Sequence, residues 1–117
     1  MSESKLKTQS MDFAVSIINL VKFLKEKRES IISNQIGRSG TSIGANIAEA
    51  QYAHGRPDFI AKLQIALKEA NETEYWLRLL HRTEYITKEQ FVSMHRDVKE
   101  LIALLSSICK SSKETLK

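Results

Sequence analysis

The sequence predicts an all-α protein, an up-down-up-down antiparallel four-helix bundle, on the strength of three observations. Apolar residues recur at alternating spacings of four and three along long segments, the rhythm of an amphipathic helix. One proline and four glycines in 117 residues leave few turn formers for an all-β chain. The gaps between periodic segments are short, and short connections make neighbouring helices antiparallel. The whole chain, residues 1–117, reads as one domain, long enough for a core and too short for two.

The first helix is expected over about 8–28, with Phe13, Ile17, Leu20 and Leu24 facing inward. Ala14, Ile18 and Val21 widen that face, while Lys22, Lys25, Glu26 and Arg28 occupy the far side. Neither glycine nor proline marks its end. Ser30 is the expected N-cap of the second helix, placed at 30–54, because its hydroxyl suits an orphan backbone N–H. Gly55 reads as the C-terminal cap of that helix, and Pro57 as a first-turn residue of the next.

In the second helix Ile32, Ile36, Ser39, Ile43, Asn46 and Ala50 share one face, yet Gly37, Gly40 and Gly44 interrupt the segment. An interior glycine costs roughly 0.5–1 kcal/mol against alanine, so something must offset three of them. Gly37, Gly40, Thr41, Gly44 and Ala48 form a stripe with almost no side chain. Such a stripe admits another backbone closely, either within the bundle or between subunits. Asn46 falls in phase with the apolar face, where a hydrogen-bonded amide can fix register or association. Glu49 needs a cation from a neighbouring helix.

The third helix, about 57–82, repeats Phe59, Leu63, Ala66, Ala70, Thr73, Leu77 and Leu80, with Ile60, Leu67 and Trp76 broadening the stripe. The fourth, about 87–110, opens on Thr87-Lys88-Glu89-Gln90, a capping box in which two side chains satisfy two orphan donors. Phe91, Met94, Val98, Leu101, Leu105 and Ile108 supply its seam, and the polar tail at 110–117 is expected to fray.

Catalytic and metal chemistry find little support. Gly40-Thr41-Ser42-Ile43-Gly44 fits the pattern of a nucleophile elbow, but that motif needs a preceding strand, and the local period is helical. His54, His81 and His95 all lack a glutamate three positions earlier, so the bundle di-iron pattern is missing. The lone Cys109 makes neither a zinc site nor an intrachain disulfide, which fits a reducing cytoplasm. No phosphate loop or dinucleotide fingerprint appears. The expectation is a non-enzyme without cofactor or metal. The N-terminus carries no apolar signal region, and no run approaches membrane-spanning length.

Charge points elsewhere. A net charge of +4 and a pI near 9.3 favour an acidic partner, with nucleic acid first. Basic residues lie on the third helix (Lys62, Lys68, Arg78, Arg82), crowd the end of the first (Lys22, Lys25, Lys27, Arg28) and flank the second (Arg38, Arg56). Against this, Lys68–Glu72 and Glu74–Arg78 have the spacing of ordinary intrahelical pairs. Trp76, Tyr52 and Tyr75 are as well suited to packing as to base stacking. The charges therefore support phosphate contact without sequence readout. Arg38, Lys62, Lys68, Arg78 and Arg82 are the expected contacts.

Gln35-Ile36, Arg38-Ser39, Ser42-Ile43, Asn46-Ile47-Ala48-Glu49, Phe59, Ala66 and Glu69 together resemble the bacterial 23S rRNA intervening-sequence proteins. That family is in turn similar to the accessory variability proteins of diversity-generating retroelements. The resemblance covers about 13–105. Ala50 and Leu67-Lys68 depart from it, standing where the family has Gly and Gly-Ser. It implies a homopentameric barrel of four-helix protomers with a basic surface. It also implies nucleic-acid binding or, alternatively, a scaffold ring that docks a protein partner such as a reverse transcriptase.

Overall fold

A computed structural model, which describes residues 2–116, contains α1 (Ser2–Glu26), α2 (Ile31–Ala50), α3 (Arg56–Arg82) and α4 (Lys88–Leu116). Each helix packs on its neighbours in the chain, and α1 closes the circuit against α4. The product is a four-helix bundle measuring 48 × 21 × 19 Å, with no strand among the described residues.

Helix α1 begins earlier than expected. Leu6 and Ser10 are buried, so the four–three rhythm continues backward from Phe13 through a polar residue that disguises it. The helix closes with Arg28 in the left-handed region at φ 63°. The Glu29 N–H donates to Leu24 O at 2.9 Å and the Arg28 N–H to Lys25 O at 3.0 Å. This is a Schellman-type ending built without glycine.

Ser30 occupies the N-cap position of α2 but makes no side-chain capping bond. The buried carboxylate of Glu29 does that work, accepting the N–H groups of Ile31, Ile32 and Ser33 at 3.1, 2.9 and 2.7 Å. Three orphan donors are satisfied by one side chain. Helix α2 stops at Ala50, short of the expected residue 54, and tightens through Gln51–Ala48 and Tyr52–Glu49 backbone bonds. Gly55, at φ 96°, precedes α3 as its N-cap instead of ending α2, and Pro57 sits in the first turn as expected. The expected capping box of α4 is formed, with Thr87 N–H to Gln90 Oε1 at 2.8 Å and Gln90 N–H to Thr87 Oγ1 at 3.1 Å. Helix α4 runs past residue 110 to Leu116, with Cys109 and Ser112 buried; residue 117 lies outside the described residues.

The core joins Ile17 and Leu24 of α1, Ile36 and Ile43 of α2, Leu63 and Leu77 of α3, and Val98 and Leu105 of α4. Ile18 does not join them: it is 44% exposed and points outward. The glycine stripe serves the bundle. A Cβ on Gly40 would lie 2.6 Å from Ile17 Cγ1, and one on Gly37 would lie 3.3 Å from Val21 Cγ2. Bare backbone lets α2 approach the branched side chains of α1, and burial of Ile17 offsets the helical cost of glycine.

Candidate functional site

The residues singled out by sequence converge mostly on the seam between α2 and α3. Ser39 and Thr73 place their hydroxyls 2.8 Å apart across it, both fully buried. Arg38 stands one turn edge further out, its Nη1 at 3.3 Å from Glu69 Oε1 and its Nη2 on Glu72. The Trp76 indole N–H also donates to Glu72 Oε2, at 3.1 Å. That bond, with the Arg38 guanidinium, holds the Glu72 carboxyl below the usual carboxylate range. Reciprocally, the hydrogen bond that Arg38 donates to Glu72 and the charge of Glu69 raise the Arg38 pKa. Lys68 contributes its positive charge to Glu72 without closing an ion pair.

Further along the seam, Lys62 Nζ lies 3.3 Å from Glu49 Oε1, so α3 supplies the cation that Glu49 requires. Asn46 is half-buried, and its amide donates to Ser42 O within its own helix at 2.9 Å. Ser42 likewise donates to Arg38 O at 2.7 Å, in the middle of a continuous helix, where no strand-to-helix elbow exists. On the other side of α3, Arg78 Nε meets Glu74 Oε2 at 3.1 Å, and the same carboxylate oxygen bonds His95 of α4 at 2.9 Å.

The five expected phosphate contacts therefore divide. Arg38, Lys62 and Arg78 each face a carboxylate of their own chain, and a phosphate must compete with it. Lys68 and Arg82 are exposed and make no ion pair among the described residues. On α3 Lys68 lies one turn before Glu72, at the outer margin of the α2 seam, and Arg82 lies at the end of the helix. The basic end of α1 adds Lys22, Lys25 and Arg28, all exposed.

Sequence reasoning passed over an apolar surface. Met11, Val15 and Ile18 stand 66%, 54% and 44% exposed on α1. Beside them a groove of about 270 Å³ opens between α1 and α2, floored by Thr41, Gly44, Ala45 and Ala48. The signal was present, since 11, 15 and 18 follow the same four–three spacing as the core, but one turn face away. Among the described residues no group of His, Cys, Asp and Glu side chains has the arrangement to hold a metal ion. No helix is long and apolar enough to cross a membrane.

Comparison with known proteins gives two findings. A family model described as 23S rRNA-intervening sequence protein matches residues 2–107. A crystal structure from Bacteroides thetaiotaomicron, described as a protein with unknown function from the S23 ribosomal protein family, is 60% identical. It superposes with a TM-score of 0.92, covering 94% of this chain and 99% of its own. No curated protein matches.

Proposed function

The chain belongs to the 23S rRNA-intervening sequence protein family, and on that footing we propose that it is a non-enzymatic, oligomeric protein that binds nucleic acid through phosphates. One observation carries the reading: several carboxylates are held by partners on their own chain, while a set of cations stays exposed and forms no ion pair among the described residues. Glu49, Glu69, Glu72 and Glu74 hold partners on their own chain, and Glu29 caps α2. Lys68 and Arg82 on α3, with Lys22, Lys25 and Arg28 on α1, are left to solvent. These cations add to a chain whose net charge is +4, so their exposed positions favour an anionic partner.

A ring of subunits strengthens weak contacts by repeating them. If five chains associate, +4 per chain becomes about +20 per assembly. The exposed Met11, Val15 and Ile18, beside the small-residue groove of α2, offer the apolar surface that subunit contact requires. The same surface also supports a second reading, a scaffold that docks a protein partner with nucleic acid incidental.

Charge reversal separates the two. Lys68→Glu with Arg82→Glu weakens binding of a structured RNA and a duplex DNA if phosphates are the target. Unchanged affinity removes these residues from the interface and favours the scaffold. Light scattering at micromolar concentration tests the assembly, and a monomer there excludes the ring.

A further inference from the structure

We propose that the end of the bundle where α1 meets the α3–α4 turn binds single-stranded nucleic acid, with a base on His81 and flanking phosphates on Lys27 and Lys88. The inference rests on the nucleic-acid reading above and gives it a site that none of the five expected contacts occupies.

A cleft of about 390 Å³ opens at this end, walled by Phe23 and Lys27 of α1, His81 of α3, Tyr85 of the turn and Lys88 of α4. His81 is the outer ring of a three-ring stack. Its ring lies 4.6 Å from Phe91 at 14°, and Phe91 lies 4.8 Å from His95 at 25°. The inner end of the stack is fixed, because His95 bonds Glu74 and Glu74 bonds Arg78. Phe91 covers one face of His81, so the edge and the opposite face are what the ring offers to the cleft. A base entering there extends a stack that is already ordered, and base–aromatic stacking is tolerant of sequence. Tyr85, 37% exposed, supplies a second aromatic surface on the same cleft.

The cations are placed to either side. Lys27 Nζ sits 5.3 Å from the centroid of Phe23, which holds the ammonium against the wall. Lys88 is exposed in the first turn of α4. The opposing charge at the cleft is Glu84, held at φ 64° in the turn. Arg28, Arg82, Glu26 and Glu89 are exposed at the adjoining helix ends and sum to no net charge. The N–H groups of Thr87 and Gln90 are taken by the capping box, and the site rests on the two lysines. So modest an excess of charge selects a ligand that also stacks. A duplex keeps its bases in its own stack, whereas a single strand can present one.

The test is calorimetric titration of the full chain with an unlabelled single-stranded RNA decamer, and with the same sequence as a duplex. His81→Ala is expected to weaken single-strand binding about five- to tenfold. His81→Phe, which keeps a flat ring, is expected to hold affinity to within about twofold. Lys27→Gln with Lys88→Gln lowers the single-strand salt slope by about 1.4, the loss of two phosphate contacts. Glu84→Gln tightens binding. If His81→Ala loosens the α3–α4 packing, the exposed double lysine variant still decides. Wild-type single-strand affinity and slope in that variant overturn the site while leaving the broader nucleic-acid reading intact. A wild-type protein that binds neither strand form overturns the broader reading, and the site with it.

Discussion

The guanidinium of Arg38 on α2 lies 3.3 Å from the Glu69 carboxylate on α3, and its other terminal nitrogen reaches Glu72. Both Arg38 and Glu69 are among the residues that carry the family resemblance. Their encounter shows what much of that pattern encodes, namely how two helices are joined. Arg38→Gln is therefore expected to cost about 0.5–1 kcal/mol of stability in urea unfolding, the range for a partly exposed pair. It should change nucleic-acid affinity less than Lys68→Gln does. The opposite ranking would return Arg38 to the phosphate surface.

The same cluster sets a pH dependence. The Glu72 carboxyl titrates below its ordinary value because Trp76 and Arg38 bind its charged form. A depressed carboxyl pKa adds stability above the unfolded value, about 4.3, and loses it as pH falls through the folded value. Glu72→Gln should consequently be less stable than wild type at neutral pH. The gap should close on acidification below the ordinary glutamate range. Thermal melts from pH 7 to pH 3 measure this, and a gap constant with pH would rule it out.

Glu29 makes a sharper local prediction. It accepts three N–H groups of α2, and its backbone carbonyl accepts the Ser33 hydroxyl at 2.7 Å. Glu29→Ala should cost about 1–2 kcal/mol, at the upper end for a lost helix cap. Ser30→Ala should cost little by comparison, since Ser30 makes no capping bond. Chemical denaturation of the two variants checks the order.

The glycines of α2 are not equivalent. Gly40→Ala drives a methyl against the γ-carbons of Ile17, at 2.6 and 2.9 Å, and a β-branched side chain cannot swing those atoms away. A loss of about 1–3 kcal/mol is expected. Gly44→Ala meets Ser10 O at 3.4 Å, an ordinary contact, and regains helix propensity of up to about 1 kcal/mol. Equal effects of the two substitutions would dismiss the close-approach account of this stripe.

Much of the bundle was legible because packing obeys periodicity: Phe13, Ile17, Leu63, Val98 and Leu101 are buried where the spacing places them. The boundaries were less so, for identifiable reasons. Ser10 is polar yet buried, and so hid the continuation of α1 to Leu6. Arg28 and Glu84 adopt positive φ without being glycine, so no residue type announced those ends. Ser30 is the better N-cap by propensity, but the longer Glu29 side chain reaches three donors instead of one. The candidate site was harder still. Sequence counts cations but cannot tell that Lys62 will meet Glu49 across a seam while Lys68 and Arg82 will not be paired. Intrahelical spacing found Glu74–Arg78, yet not the His95 that shares its carboxylate.

The central claim is that exposed cations of this protein bind phosphates, and salt titration of duplex DNA binding by fluorescence anisotropy tests it most directly. If Lys68 and Arg82 both engage, log affinity should fall linearly with log salt at a slope of about −1.8 or steeper, at 0.9 per phosphate. Absence of binding at low salt, or affinity indifferent to salt, would contradict the account and leave those side chains as solvated surface.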